Sequence, residues 1–240
     1  MTGILYGVGV GPGDPELVTV KAARLIAEAD VVAYHSARHG RSNARACAAP
    51  YLREEQTEIR LMYPVTTETT DHPGGYRGAL EDFYAGAAEE LAEHLTAGRN
   101  VALLAEGDPM FYSSYMHMHK RLRDRFECVV VPGVTSVSAA AAATGVPLVE
   151  ADEVLTVLPG TLPESELRRR LADTDAAAIM KLGRTFPTVR GALKHTDRDG
   201  AAWYVERASR ADERVLSVGD VSAEDVPYFA TVLVPGRINA

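Results

Sequence analysis

The run Ile4-Leu5-Tyr6-Gly7-Val8-Gly9-Val10 is apolar and breaks into glycines, which predicts a buried strand entering a turn. From Leu17 to Ala29, Leu17, Val20, Leu25 and Ile26 recur at helical spacing, with Lys21, Arg24 and Glu28 between them. Asp14-Pro15-Glu16 just ahead suits a helix start. Val31-Val32-Ala33-Tyr34 reads as a second strand. Strand, helix and strand in this order mark an α/β domain with parallel strands. The alternation continues with a helical segment from Leu80 to Ala97, closed by Gly98, and an apolar strand from Val101 to Ala105. A strand at Val129-Val130-Val131 precedes Pro132-Gly133, and an alanine-rich helix follows that stops near Thr144-Gly145-Val146-Pro147. Further strands are expected at 154–158, 176–181, 201–206 and 229–234, and helices at 164–171 and 188–194. The pattern gives two α/β domains, 1–130 and 131–240. The polar, turn-rich stretch from Thr66 to Gly78 is the candidate mobile loop.

Composition narrows the function classes. A chain of 240 residues with 46% hydrophobic and 24% charged residues is long enough for a proper core. Its net charge of −8 argues against a sequence-independent nucleic-acid binder, which needs a basic surface. No apolar run approaches the ~18 residues of a membrane span. Met1 to Tyr6 carries no basic residue, which argues against a signal peptide. Cys47 and Cys128 stand far apart without metal or redox spacing, consistent with the reduced cytoplasm.

Three loops after strands carry candidate chemistry. Gly7-Val8-Gly9-Val10-Gly11-Pro12-Gly13 places Pro12 where a dinucleotide fingerprint counted from Gly7 needs its third glycine, and no Gly-Lys-Ser/Thr follows. It is either a structural turn or a rigid loop presenting backbone to a ligand at a strand's C-terminal end. In Glu106-Gly107-Asp108-Pro109, Asp108 is a helix cap or a ligand contact. In Pro132-Gly133-Val134-Thr135-Ser136 the hydroxyls have the same two readings. Seven histidines raise the question of a metal, but His117 and His119 are two apart, and His35 and His39 lack the glutamate of a zincin motif. No metal is expected, and the absence of a Gly-x-Ser-x-Gly elbow leaves that type of hydrolase unsupported.

Taken in order, these motifs resemble the tetrapyrrole methylase family. The matching residues are Gly9 to Ala22, Ala29-Asp30-Val31-Val32-Ala33-Tyr34, Glu106-Gly107-Asp108-Pro109, Pro132 to Ser136, Met180-Lys181-Leu182-Gly183 and Val205-Glu206-Arg207-Ala208-Ser209. The resemblance implies the class III methyltransferase fold, two α/β domains with a cofactor cleft between them. It implies S-adenosyl-L-methionine as methyl donor, held by Pro12, Glu106, Gly107, Asp108, Phe111, Thr135, Ser136, Leu182 and Ala208. It also implies a precorrin-type tetrapyrrole substrate, no nucleic-acid or membrane partner, and a homodimer. Glu-Gly-Asp-Pro-x-Phe-Tyr-Ser-Ser with Pro-Gly-Val-Thr-Ser resembles the subgroup that methylates precorrin-2 at C20, giving precorrin-3A in cobalamin biosynthesis. The other readings are a sister methylase acting on cobalt-factor II or another precorrin carbon, and a diphthine synthase-like protein methyltransferase.

Two substrate-side features follow. Val31 to Arg53 holds no Asp or Glu but carries Arg38, Arg41, Arg45 and Arg53. The stretch is either a solvated face or, with Arg38, Arg41 and Arg45, a rim for the acetate and propionate arms of a precorrin. In relatives that methylate uroporphyrinogen a carboxylate follows the Ala-Asp-Val-Val-x-Tyr strand. Here that position is His35, the candidate proton acceptor.

Overall fold

The computed structural model describes residues 1–38, 40–66, 70–224 and 226–236. His39 and positions 67–69 of the Thr66–Gly78 stretch lie outside the described residues. The chain divides into two compact units, Met1–Thr135 and Ser136–Ala240.

The first unit runs β1 (Leu5–Gly9), α1 (Val20–Glu28), β2 (Val31–Ser36), α2 (Asn43–Ala48), β3 (Thr57–Met62), α3 (Gly75–Thr96), β4 (Val101–Ala105), α4 (Tyr115–Leu122) and β5 (Cys128–Val131). Its sheet has the order β3-β2-β4-β1-β5 with every pair parallel. Val8, Ala102 and Leu104 pack with Ala22, Leu25 and Ile26 of α1 and Ala44 and Cys47 of α2. Leu5, Ala33 and Leu103 pack with Leu91 and Leu95 of α3 and Tyr115 and Met118 of α4. Helices therefore cover both faces, and β4 is buried at every position, as a doubly covered parallel strand must be. The edge strand β3 alternates buried and exposed instead, with Ile59 and Leu61 inward. That alternation is why Thr57–Met62 does not stand out as an apolar run.

Local chemistry shifts two expected helix starts. Asp14 accepts from the Glu16 amide at 2.8 Å and closes a 3-10 turn over Pro15–Leu17, after which Val18 is extended. Helix α1 begins at Val20, where the Thr19 hydroxyl accepts from the Ala22 amide at 3.2 Å. Helix α3 starts at Gly75 rather than Leu80, and His72 Nδ1 accepts from the Gly74 amide at 3.0 Å ahead of it. Gly98, at φ +79, ends it as expected.

The second unit runs α5 (Ser136–Thr144), β6 (Leu155–Pro159), α6 (Glu164–Ala172), β7 (Ala176–Met180), α7 (Phe186–His195), β8 (Trp203–Glu206), β9 (Arg214–Ser217) and β10 (Ala230–Val234). Its sheet order is β6-β7-β10-β8-β9. Only β6 and β7, joined through α6, are parallel; β10 runs antiparallel to β7 and β8, and β9 antiparallel to β8. The strand–helix alternation stops after α7. The chain from β8 to β9 contains no helix, and a short connection of that kind returns the chain antiparallel. Both units are α/β, one with a parallel and one with a mixed five-stranded sheet. No helix among the described residues is long and apolar enough to cross a membrane.

Candidate functional site

In the first unit β1 lies between β4 and β5. The loops that follow these three parallel strands therefore leave from one edge of the sheet, where α/β folds place ligands. The loops touch through their backbones. Gly107 N–H donates to the Gly11 carbonyl at 2.8 Å and Gly11 N–H to the Gly107 carbonyl at 3.3 Å. A Cβ on Gly9 would lie 2.6 Å from Gly133 N, and one on Gly133 only 2.1 Å from Gly107 O. Gly11 and Gly107 take φ of +75 and +68. The glycines are thus required by contact and conformation.

One side chain joins the same assembly. Asp108 accepts from the Gly133 amide at 3.0 Å and from the Met110 amide at 2.8 Å. Its two oxygens tie the loop after β4 to the loop after β5, rather than capping a helix. Asn43 of α2 donates to both oxygens of half-buried Glu106 at 3.3 Å each, a partner the sequence motif does not announce. Pro12 is buried beside Gly11, while Phe111 and Thr135 are half-buried. Loop chemistry thus brings Pro12, Glu106, Gly107, Asp108 and Thr135 to one edge of one sheet.

His35 sits near the C-terminal end of β2. Its ring stacks on Tyr63 with centroids 5.4 Å apart, and Phe83 and Tyr84 present edges at 6.1 and 6.4 Å. Nε2 is buried and accepts or donates no hydrogen bond among the described residues. Burial first, and the neighbouring His117 second, bring its pKa down to about 4. Ser114 stands behind this cluster, with its hydroxyl against the hydroxyls of Tyr63 and, at 3.2 Å, Tyr84. His117 stacks on Tyr84 at 4.0 Å. Ser114 lies within the Glu-Gly-Asp-Pro-x-Phe-Tyr-Ser-Ser run; Tyr63, Phe83 and Tyr84 carried no comparable signal.

The three rim arginines differ. Arg38 and Arg41 are exposed and form no ion pair among the described residues. Arg45 makes a two-pronged contact with Glu58 at 2.8 and 3.0 Å. That contact raises the guanidinium pKa and lowers the carboxyl's. Among the described residues no group of three or more His, Cys, Asp or Glu side chains is placed to hold a metal ion.

In the second unit Ser136 opens α5. Leu182 is 2% exposed and packs against the core of this unit. Lys181 and Gly183 on either side have φ of +61 and +47. Ala208 follows β8 in a turn whose Arg207 and Ser209 also have positive φ. Glu206, at the end of β8, is 1% exposed. It accepts from the Tyr204 hydroxyl at 2.5 Å, from Arg207 at 2.6 Å and from Arg214 at 3.2 Å. Burial alone would raise its pKa, but the Tyr204 hydroxyl and the two guanidinium groups outweigh that and hold it below the usual range.

Comparison with known proteins places this geometry. Residues 4–222 match the family model described as Tetrapyrrole (Corrin/Porphyrin) Methylases. The chain is 67% identical over 234 residues to the cobalamin biosynthesis protein CobIJ of Mycobacterium tuberculosis, covering 98% of this chain and 46% of that protein. It therefore spans less than half the length of that relative. It is 51% identical over 235 residues to the precorrin-2 C(20)-methyltransferase of a Sinorhizobium species, covering 98% of this chain and 96% of that one. The solved uroporphyrin-III C-methyl transferase from Thermus thermophilus, complexed with S-adenyl homocysteine, matches with a TM-score of 0.69 at 25% identity over 98% of each chain.

Proposed function

The chain belongs to the tetrapyrrole (corrin/porphyrin) methylase family, and from that membership we propose that it transfers the methyl group of S-adenosyl-L-methionine to C20 of precorrin-2, yielding precorrin-3A in cobalamin biosynthesis. The observation that carries this reading is the 51% identity that runs through almost all of this chain and of the Sinorhizobium C20-methyltransferase. The edge of the first sheet suits the donor. S-adenosylmethionine is a sulfonium cation with a ribose diol and an amino-acid end, and the edge offers two half-buried carboxylates, Glu106 and Asp108, beside turns of bare backbone. Pro12, Glu106, Gly107, Asp108, Phe111 and Thr135, with Ser136, Leu182 and Ala208, are the residues we assign to holding it.

When bound, the donor supplies an electrophilic methyl, and the electron-rich meso carbon of the tetrapyrrole is the nucleophile. The C20–methyl bond forms as the sulfur–methyl bond breaks, S-adenosylhomocysteine leaves, and C20 then loses its proton. The protein's task is alignment and exclusion of water, which can supply effective molarities of about 10⁵–10⁸ M. We assign the proton to His35. Burial keeps its ring neutral, and hence able to accept, at every pH well above 4. A weak base suffices because the proton leaves a carbon next to a cationic conjugated system. The face of Tyr63, stacked on the His35 ring, offsets part of the cost of the transient imidazolium. Arg38 and Arg41, exposed and without an ion pair among the described residues, are assigned to the substrate's carboxylate arms. Arg45 joins them only by leaving Glu58. The enzyme is proposed to act in the cytoplasm as a homodimer.

Precorrin-2 and cobalt-factor II, each offered with methyl-labelled S-adenosylmethionine, test the reading by mass spectrometry and carbon NMR of the product. One added label at C20 of precorrin-2 is expected. Label at another carbon, label on cobalt-factor II alone, or no transfer would overturn it.

A further inference from the structure

The turn after β8 holds its shape against conformational preference. Arg207 and Ser209, at φ of +52 and +66, both occupy the left-handed region that favours glycine, and Ala208 lies between them. Side chains adopt such a conformation only when their surroundings over-determine it. Here the surroundings are charged. The Arg207 guanidinium is clamped between Glu206 Oε1 at 2.6 Å and Asp212 Oδ2 at 2.8 Å. The Ser209 amide donates to Glu213 at 2.5 Å, and the Arg207 amide to the Phe229 carbonyl at 3.2 Å. Arg210 N–H closes the turn onto the Arg207 carbonyl at 3.0 Å.

Glu206 is the buried member of this set, and its second oxygen is fixed from the sheet by Tyr204. Arg214, on β9 directly opposite Glu206, reaches the same carboxylate. One carboxylate thus joins β8, β9 and the first residue of the turn. Burying a carboxylate with its partners is a poor route to stability, since apolar packing often serves as well. What three converging donors supply is a fixed direction for the arginine and for the backbone it belongs to.

We propose that Glu206 is a positioning residue of the cofactor site: its carboxylate locks the Arg207–Ser209 turn so that Ala208 is presented to S-adenosylmethionine in one conformation. This rests on the assignment of Ala208 to the cofactor. Glu206 does not touch the reacting atoms; it acts through Arg207 and the turn. Its loss therefore weakens the cofactor's binding and leaves the chemistry of a saturated enzyme in place.

Calorimetric titration with S-adenosylhomocysteine, with steady-state kinetics in both substrates, provides the test on wild type, Glu206→Gln and Tyr204→Phe. Glu206→Gln keeps the shape and removes the charge. It should raise Kd for S-adenosylhomocysteine and KM for S-adenosylmethionine roughly tenfold, about what a lost charged hydrogen bond is worth. The KM for precorrin-2 and kcat at saturating S-adenosylmethionine should stay at wild-type values. Tyr204→Phe removes one donor and should shift the same constants in the same direction by less; it decides the matter if Glu206→Gln does not fold. A wild type that fails to bind S-adenosylhomocysteine brings down the cofactor reading and this inference together. Wild-type binding with both variants unchanged overturns the inference alone. So does a variant that melts earlier yet keeps its cofactor affinity, or one that raises both KM values alike.

Discussion

The loops at the edge of the parallel sheet and the turn after β8 in the mixed sheet are both held in unusual conformations, by opposite means. The first set is held by the absence of side chains: Gly9 and Gly133 let three backbones meet at distances no Cβ would permit, and Gly11 and Gly107 take left-handed φ. The second is held by charge, with Glu206 buried under Tyr204, Arg207 and Arg214. The units handle their buried titratable groups just as differently. His35 has a nitrogen without a hydrogen bond among the described residues and is kept neutral, whereas Glu206 has three donors and is kept charged. Steric closure of the first kind is indifferent to pH and intolerant of any added atom. Closure by charge tolerates changes of shape and depends on protonation.

The sharpest way to break this comparison is to add one carbon. Gly133→Ala places a Cβ 2.1 Å from the Gly107 carbonyl oxygen, with backbone on both sides. No rotamer relieves it, so the loops must separate. A loss of about 3 kcal/mol or more of stability is expected, together with loss of S-adenosylhomocysteine binding. Gly86→Ala in α3, where a Cβ meets nothing within 4 Å, is the control. It should stabilise by about 0.5–1 kcal/mol. Wild-type melting and cofactor affinity in Gly133→Ala would show that the loops are not sterically locked.

Asp108→Ala comes next, because the Asp108 carboxylate ties the loop after β4 to the loop after β5. Its removal leaves the Gly133 and Met110 amides without their acceptor. About 1.5–3 kcal/mol of stability should go, with weaker S-adenosylmethionine binding. Unchanged melting beside a loss of affinity would mean that the carboxylate acts on the ligand and not on the loops. Unchanged affinity in a folded variant would remove Asp108 from the cofactor site.

These differences decide what the sequence can reveal. Glycine at a crowded backbone contact is a residue choice, so Gly9-Val10-Gly11, Glu106-Gly107-Asp108 and Pro132-Gly133 stand out as motifs. The buried strands β1, β4 and β7 stand out because both faces are apolar. Strands β3 and β9 do not, since β3 exposes Glu58 and Arg60 on one face and β9 is four residues long with none of them buried. Short helices α2 and α4 lack a long apolar stripe, and α4 is interrupted by His117 and His119. The mixed order of the second sheet depends on how β8, β9 and β10 pair, and no local pattern carries that. The same holds for the site. Pro12, Glu106, Asp108 and Thr135 are visible in strand-end loops, whereas Asn43 on Glu106 and Tyr63 on His35 come from elsewhere in the chain. Glu206 is visible within its motif, but its burial and its bond to Arg214 are not.

The smallest expected effect separates the two kinds of buried group by pH. The His35 ring takes its proton near 6.5 in an unfolded chain and near 4 in the folded protein. Between those values the unfolded state holds a proton that the folded state does not. Stability therefore falls as pH drops through that window and is flat above it. Glu206 behaves in the other order. Its folded pKa lies below the ordinary carboxyl value, so its contribution is present above about pH 4.5 and is lost only as pH falls through the folded value. His94 and His117 are lowered too, chiefly by burial, and add to the wild-type slope. The readout is accordingly a difference. His35→Phe keeps an aromatic ring against Tyr63 and removes the titration. Wild type should lose about 1 kcal/mol more than His35→Phe between about pH 7 and about pH 5.5. The two proteins should run parallel above that range, and Glu206→Gln should part from wild type only below it. If His35→Phe and wild type melt in parallel throughout, the ring is charged or solvated in the folded protein. The neutral acceptor assigned to C20 deprotonation is then lost, and with it the contrast between a neutral group in the first unit and a charged one in the second.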